Sequence, residues 1–271
     1  MKFANIAKDI QRTNIDLHNR YINNPIFIPQ PLNIDITSPV VAFNNNQEWK
    51  IVPVSFLIHT PIIHDVIFEG TEPNKKIIDV SLTFCPYTYT AILYEGTWCM
   101  TDKIYNSNIV LENMKEPSMM IQAIGVKTIK KKEILVRKWN TRILTLRRAI
   151  SEYPDCVYLH NKISEKLKAL IPTPYYHDTN ILYPLINKVS KYHPKTIVHG
   201  IEYRSKGIMK YSVIIGNDAS DKPSGLDIYS NKVYEYLEKK NKDLIDKFAI
   251  VIPTFWFSWI TFHPEAKIIK L

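Results

Sequence analysis

The chain has 271 residues with a formal net charge of +9, from 35 Lys and Arg against 26 Asp and Glu. It contains only 7 glycines, and neither G-x-x-x-x-G-K-[ST] nor G-x-G-x-x-G occurs in it, which excludes the two common phosphate-binding loops. Hydrophobic residues make up 45% and charged residues 23%, as in ordinary globular proteins.

The first predicted element is an amphipathic helix over residues 3–21, with Ile6, Ile10, Leu17 and Tyr21 at helical spacing. We predict that residues 1–23 form an N-terminal helical arm. The arm has no uninterrupted apolar core, so we expect no signal peptide. No apolar run approaches the ~20 residues of a membrane span. With three cysteines and hence no disulfide framework, we predict a cytoplasmic or otherwise intracellular protein.

Short apolar runs then recur about every ten residues, separated by turn signals, which is typical of antiparallel strands. The predicted strands are Val40–Phe43, Lys50–Val54, Ile62–Phe68, Ile77–Phe84, Ala91–Tyr94, Ile109–Glu112, Met119–Ile124 and Ile134–Arg137. Helical spacing from Trp139 to Tyr153, closed by Pro154, predicts a helix. A polar loop at 217–225 and a second helix at 231–247 follow.

Two parts of the chain are weakly similar to each other. Pro39–Leu57 and Lys195–Ile214 both read as strand, polar turn and strand, and Ser151–Leu159 and Thr261–Ile269 both pass through a proline into a short strand. We therefore predict an α+β fold: a mainly antiparallel sheet unit with peripheral helices. Residues 24–271 form one domain, with quasi-repeat halves at about 38–159 and 195–271.

The segment from Ser81 to Asn108 carries the strongest candidate chemistry. A buried-looking strand delivers Cys85 into a proline turn, where donors or cations that lower the thiol pKa would make it a nucleophile. Thr88 and Tyr105 are its candidate partners. The alternative is a buried cysteine acting as a small hydrophobe, and we favour it. Asn106 and Ser107 supply either ligand-binding donors or a structural turn.

Three motifs in order resemble the family catalogued as domain of unknown function 3179. Its C-P-L-C-G-[ST]-A is similar to C-P-Y-T-Y-T-A from Cys85, its L-Y-N-S-D to I-Y-N-S-N from Ile104, and its W-F-A-W-x-x-F-H-P-[DE]-T to W-F-S-W-I-T-F-H-P-E-A from Trp256. The resemblance places Thr88 where the family has its second cysteine. It places Thr60 and Pro61 where the family has a His-Glu pair, leaving only Asp65 of that segment.

Two further groups are candidate binding residues. His59, His64 and Asp65 precede the cysteine strand, but their spacing lacks a zinc pattern, so we predict neither a metal site nor a cofactor. A basic patch comprises Lys127, Lys130, Lys131, Lys132, Arg142, Arg147 and Arg148. It could bind an acidic partner such as nucleic acid, although a solvated surface in a lysine-rich composition explains the same charges, and we favour that explanation.

The replaced cysteine and His-Glu pair lead to the first functional hypothesis, a non-catalytic binding or structural protein on a degenerate family scaffold. The alternative is a thiol-dependent enzyme or redox protein that uses Cys85 near Thr88 and Tyr105. A weaker alternative is nucleic-acid binding through residues 127–148. The sequence does not select a partner: a protein partner, a homo-oligomer and an acidic partner all remain open.

Overall fold

The fold is built almost entirely from β-strands. The computed structural model describes residues 10–13, 17–130, 132–164, 167–187, 191–216, 236, 239 and 249–271. Strands account for 46% of residues and helices for 11%, and four small sheets are arranged like a four-bladed β-propeller. The predicted α+β class is therefore wrong, because the described helices are short connections between strands.

The strands are, in chain order, β1 (Gln11–Arg12), β2 (Tyr21–Ile22), β3 (Phe27–Ile28), β4 (Pro39–Asn44), β5 (Trp49–Pro53), β6 (Ile62–Glu69), β7 (Lys76–Cys85), β8 (Thr90–Glu95), β9 (Trp98–Tyr105), β10 (Asn108–Asn113), β11 (Met119–Ile121), β12 (Val126–Ile129), β13 (Lys132–Leu135), β14 (Lys138–Trp139), β15 (Thr141–Thr145), β16 (Val157–Leu159), β17 (Ile197–Ser205), β18 (Ile208–Ile215), β19 (Ile250–Phe255) and β20 (Lys267–Lys270). The helices are α1 (Val54–Leu57), α2 (Leu146–Glu152), a 3-10 helix (Thr173–His177) and α3 (Trp256–Phe262).

Each sheet is assembled mainly from neighbouring hairpins. Sheet I has the order β1-β9-β10-β11-β12-β13, and sheet II has the order β14-β8-β7-β6-β2. Sheet III has the order β15-β4-β5-β16-β3, and sheet IV has the order β19-β17-β18-β20. One hydrophobic cluster, which includes Leu111, Leu82, Val41 and Val213, draws on all four sheets. The core therefore lies where the sheets meet, and burial on several sides explains why the strands read as continuous apolar runs.

Sheets III and IV share one topology. In sheet III the hairpin β4–β5 is flanked by β15 and β16, which α2 connects, and β16 runs parallel to β5. In sheet IV the hairpin β17–β18 is flanked by β19 and β20, which α3 connects, and β20 runs parallel to β18. Both helices have seven residues and end just before a proline.

The two sheets also repeat one aromatic contact. Trp49 stacks on Tyr153 with ring centroids 3.8 Å apart, and Tyr211 stacks on His263 at 4.0 Å. The packing beneath α3 differs from its counterpart, because the indole of Trp259 lies directly over Gly200. A Cβ at Gly200 would come within 2.1 Å of that ring, so the indole requires glycine there.

The N-terminal helix predicted over residues 3–21 is wrong. Residues 11–12 are extended and pair with β9, and the backbone of Thr13 continues that pairing by donating to Asp102 O at 2.7 Å. Tyr21 begins β2, which pairs with β6. The open edges of sheets I and II bind this segment as strand, and tertiary pairing overrides the helical spacing. Residues 1–9 and 14–16 lie outside the described part.

The helix predicted from Trp139 is correct only in its second half. Residues 141–145 form β15 against β4, and α2 begins at Leu146, where the Thr145 side chain accepts from the Arg148 backbone N–H. The helix ends before Pro154 as predicted. The predicted loop at 217–225 lies outside the described residues, as does the helix at 231–247 apart from positions 236 and 239. Strands β9, β12, β14 and β19 were not predicted either.

Candidate functional site

Cys85 lies in a closed interior at the end of β7. Its side chain is 0% exposed. The sulfur contacts the backbone carbonyl of Ser107 at 3.9 Å, which is a weak donor contact. Burial raises the pKa of the Cys85 thiol above its ordinary value, outweighing the hydrogen bonds that act in the opposite direction. The environment therefore keeps this cysteine protonated, which is the opposite of nucleophile activation.

Thr88, three residues after Cys85, belongs to a buried hydrogen-bond network. Its hydroxyl contacts the Thr90 hydroxyl at 2.8 Å and accepts from Asn108 Nδ2 at 3.0 Å. The Thr90 hydroxyl in turn contacts the Thr254 hydroxyl at 2.6 Å. The Thr88 carbonyl accepts from the Phe255 backbone N–H at 3.0 Å. These contacts join the β7–β8 turn to sheets I and IV.

Asn108 and Gln122 complete this network. The Asn108 amide donates to Gln122 Oε1 at 3.0 Å, and its carbonyl oxygen accepts from the Ala123 backbone N–H at 2.8 Å. Gln122 Nε2 donates to the Thr90 carbonyl at 3.0 Å. Asn108, Gln122 and Thr88 are each 0% exposed. A buried network with its partners in place fixes how elements pack, and here it fixes the junction of sheets I, II and IV.

The Tyr-Asn-Ser turn between β9 and β10 holds a distant segment of the chain. Asn106 and Ser107 have positive φ values of 49° and 60°, as a type I′ hairpin turn requires. Asn106 Oδ1 accepts from the Ile186 N–H at 2.9 Å, and Ser107 Oγ donates to the Tyr183 carbonyl at 2.8 Å. Tyr105 is buried beside Phe262. The structure thus brings Ser107 to Cys85 and gives both turn residues structural partners.

Each of the candidates His59, His64 and Asp65 contacts a different set of residues. His59 Nδ1 is 2.9 Å from the Ser55 carbonyl oxygen. The His64 ring nitrogens are 2.6 Å from Asn23 Oδ1 and 2.8 Å from the Trp98 carbonyl oxygen, and burial lowers its pKa. Asp65 forms a buried ion pair with Lys50 at 2.7 Å. None of these described contacts reaches Cys85.

Three of the six described residues of the basic patch form ion pairs with carboxylates of the same chain. Lys127 pairs with Glu116 at 2.5 Å, and Arg142 and Arg148 both pair with Glu152. Lys130 occupies the β12–β13 turn, and Lys132 is exposed on β13 beside it. Arg147 is exposed on α2, whereas Lys131 lies outside the described residues. Within the described part of the patch, Lys130, Lys132 and Arg147 form no ion pair, so positive charge remains at the β12–β13 turn and on α2.

A small cavity borders the buried network. It has a volume of about 10 Å³, is just large enough for one water molecule, and is lined by residues that include Thr90, Thr254, Trp259 and His263. Burial lowers the pKa of His263 to about 3, with the charge of Lys138 acting in the same direction. His263 is therefore neutral at physiological pH, packed between Tyr211 and Trp259.

A larger cleft of about 470 Å³ was not expected from the sequence. It is lined by Glu95, Gly96, Thr97, Asn113, Lys115, Glu116, Lys127, Ile134, Leu135, Val136 and Arg137. Its volume falls in the range of about 300–1,000 Å³ that is usual for small-molecule sites. Ile134 and Leu135 are 42% and 46% exposed. Its residues come from separate turns and strands, so no local motif marks it.

A second group that the sequence did not indicate consists of His18, Cys99 and Glu112. Their ligand atoms all lie within 4.8 Å of one another. His18 Nδ1 is 3.2 Å from Glu112 Oε1, and the Cys99 sulfur is 3.6 Å from the same oxygen. Burial, reinforced by the negative charge of Glu112, raises the pKa of the Cys99 thiol to about 12. Because positions 18, 99 and 112 are widely separated along the chain, residue spacing in the sequence does not reveal this cluster.

Residues 21–213 match the family model described as protein of unknown function DUF3179, and the chain belongs to this family. The match confirms the predicted resemblance to this family; it includes the segments around Cys85 and Ile104 and ends before the third segment, which begins at Trp256. Searches of curated proteins and of solved structures each found no match. Among the described residues, no helix is long and apolar enough to cross a membrane.

Proposed function

We propose that this member of a family of unknown function is a non-catalytic binding protein, with its ligand site in the 470 Å³ cleft rather than around Cys85. The observation that carries the proposal is the state of Cys85 and Thr88. Both are 0% exposed, and the threonine at the second motif position is held by the buried network instead of facing a substrate.

The surroundings of Cys85 argue against thiol chemistry. A catalytic thiol needs a neighbouring base or cation to favour the thiolate, together with access for a substrate. The Cys85 sulfur instead donates to a carbonyl oxygen, and burial raises its pKa despite hydrogen bonds from Thr88 and nearby backbone groups. Tyr105, the other candidate partner, is 2% exposed and packs beside Phe262. These features support a structural role for the motif.

The cleft offers the mixed surface that ligand sites usually have. Ile134, Leu135 and Val136 give it an apolar strip, and Lys115, Lys127 and Arg137 supply cations beside that strip. Ligand pockets typically combine such apolar walls with a few polar groups that orient the ligand. The chemistry of this lining fits an amphipathic anion, meaning a molecule with an apolar body and a carboxylate, sulfonate or phosphate group.

The cations of the cleft can exchange partners at low cost. Lys115 pairs with Asp79 at 2.5 Å, but its side chain is 66% exposed and that of Asp79 is 55% exposed. Arg137 pairs with Glu69, and these side chains are 49% and 29% exposed. Exposed ion pairs contribute only about 0–1 kcal/mol. An anionic ligand can therefore displace the carboxylates from Lys115 and Arg137 without a large loss of stability.

The fluorescent amphipathic anion 8-anilinonaphthalene-1-sulfonate tests the proposed site. We expect saturable binding to the folded protein, at least tenfold weaker in Leu135→Asp, which places a carboxylate in the apolar strip. Ile208→Asp is the matched control, because Ile208 is a strand residue 61% exposed elsewhere, and it should bind like wild type. Cys85→Ser should also bind like wild type. Equal affinities of Leu135→Asp and wild type would rule out this cleft.

A further inference from the structure

We propose that His18, Cys99 and Glu112 form a binding site for a divalent metal ion of the zinc class. The three residues supply an imidazole nitrogen, a thiolate sulfur and a carboxylate oxygen, which are the three ligand types that zinc accepts in proteins. Within the described residues, this is the group of His, Cys, Asp and Glu side chains whose ligand atoms converge closely enough to share one ion.

The distances fit tetrahedral coordination. Zinc binds imidazole nitrogen and carboxylate oxygen at about 2.0–2.2 Å and thiolate sulfur at about 2.3 Å, so tetrahedral ligand atoms stand roughly 3.3–3.6 Å apart. The nitrogen–oxygen distance from His18 to Glu112 is 3.2 Å, and the sulfur–oxygen distance from Cys99 to Glu112 is 3.6 Å. The His18–Cys99 separation is at most 4.8 Å, so these two ligand atoms would move up to about 1.2 Å closer on binding.

The backbone holds all three ligands in place. Cys99 on β9 and Glu112 on β10 are directly opposite in the strand register, and cross-strand partners present neighbouring side chains on the same face of a sheet. His18 lies in a turn anchored on both sides. Leu17 is 1% exposed in the core, and Arg20 donates to the carbonyls of His59 and Lys168 at 3.2 and 2.8 Å.

The site is open enough for a fourth ligand. The His18 side chain is 51% exposed and the Glu112 side chain 40% exposed, so a water molecule can complete the coordination. Binding converts the Cys99 thiol to a thiolate, and its proton passes to solvent. Metal affinity therefore falls as the pH falls. The bound ion would fasten the turn at residues 17–20 to sheet I.

A simple ion pair between His18 and Glu112 is the competing explanation. In that explanation Cys99 stays a thiol and donates weak hydrogen bonds to the carboxylate and backbone carbonyl of Glu112, at 3.6 and 3.8 Å. Cobalt(II) distinguishes the two explanations, because thiolate coordination produces a sulfur-to-cobalt charge-transfer band. The same spectrum reports the geometry, since tetrahedral cobalt absorbs visible light much more strongly than octahedral cobalt.

The test is titration of the full-length protein with cobalt(II), followed by displacement with zinc(II). We expect one cobalt per chain with a charge-transfer band, absent in Cys99→Ser and at least tenfold weaker in affinity in His18→Ala. Cys156→Ser, which removes another buried cysteine, should behave like wild type. His18→Ala alters an exposed side chain, so its folding is not in question, and circular dichroism checks Cys99→Ser.

Three results would overturn the metal site. They are the absence of a charge-transfer band in wild type, a band that persists in Cys99→Ser, and an affinity that is unchanged in His18→Ala. None of them bears on the binding of 8-anilinonaphthalene-1-sulfonate at the cleft.

Discussion

Strand β10 joins two regions with opposite characters. At its start, Asn108 is 0% exposed, and its amide lies in the network with Thr88 and Gln122. At its other end, Glu112 is half-buried beside His18 and Cys99, and Asn113 borders the cleft. We call the first region the buried end, and it includes the cavity residues Trp259 and His263, which adjoin the network. We call the second region the open end.

The difference shows that polar groups serve two purposes on one strand. At the buried end each amide and hydroxyl of the network has a partner of fixed geometry, which specifies how the sheets meet. At the open end ionisable groups converge where solvent still reaches them, so they can accept a ligand. Thr88 and His263, which belong to the motifs noted in the sequence, lie at the buried end, whereas the proposed ligand and metal sites lie at the open end.

Tight packing at the buried end predicts the largest effect. Gly200→Ala places a Cβ 2.1 Å from the Trp259 ring, and we expect a loss of about 3 kcal/mol or more in the free energy of unfolding. Gly207→Ala is the control, because its Cβ would meet nothing within 4 Å and only its φ of +78° is unfavourable. It should cost about 1 kcal/mol. Chemical denaturation measures both, and similar losses would show that the region around Trp259 is not closely packed.

Acid should destabilise the protein through His263. Its pKa is about 3 in the folded state and about 6.5 when unfolded, so between these values the unfolded chain binds the extra proton and stability falls as pH falls. From pH 7 to pH 4 we expect a loss of about 3 kcal/mol from this residue.

His263→Phe keeps the ring against Tyr211 but cannot be protonated, so it should remove this part of the acid sensitivity. His18→Ala, which removes an exposed histidine at the open end, should leave that part intact. Urea denaturation between pH 7 and pH 4 measures the three proteins. The same acid sensitivity in His263→Phe as in wild type would contradict the assignment.

Two asparagines on β10 give the sharpest comparison of its ends. Asn108→Ala removes two donated bonds and leaves the Ala123 N–H buried without its partner. We expect a loss of about 2 kcal/mol. Asn113→Ala removes bonds to the N–H groups of Lys115 and Glu116 in a surface turn and should cost about 0.5–1 kcal/mol. Thermal unfolding measures both losses. Equal losses would contradict the claim that polar groups at the buried end contribute more to stability than those at the open end.

The strands were predictable where apolar and β-branched residues run between turn signals. All eight predicted strands correspond to observed ones, from β4 to β13. The errors arose where pairing decides the structure. Residues 10–21 and 139–145 have helical spacing. Gln11, Tyr21 and Ile143 nevertheless lie in strands, which pair with β9, β6 and β4 respectively. Spacing describes one segment, whereas an open sheet edge is a property of the folded chain.

The candidate site was predictable only as a set of motifs. The sequence identified Cys85, Thr88 and the Asn106–Ser107 turn as belonging together, and the structure places Cys85 against Ser107. It could not indicate that burial raises the thiol pKa, since burial depends on all four sheets. The cluster of His18, Cys99 and Glu112 and the cleft residues are brought together by strand register, which no local spacing encodes.

Thiol labelling of the native protein with iodoacetamide, followed by peptide mass spectrometry, tests the central claim most directly. We predict that Cys85 stays unmodified until the protein is unfolded, at every pH from 7 to about 9, because its thiol is buried and protonated. Cys85→Ser controls for assignment of the modified peptide. The contrary result is rapid modification of Cys85 in the folded protein, with the pH midpoint of the modification rate at or below the free-cysteine pKa of about 8.5. It would contradict the claim that Cys85 is non-catalytic.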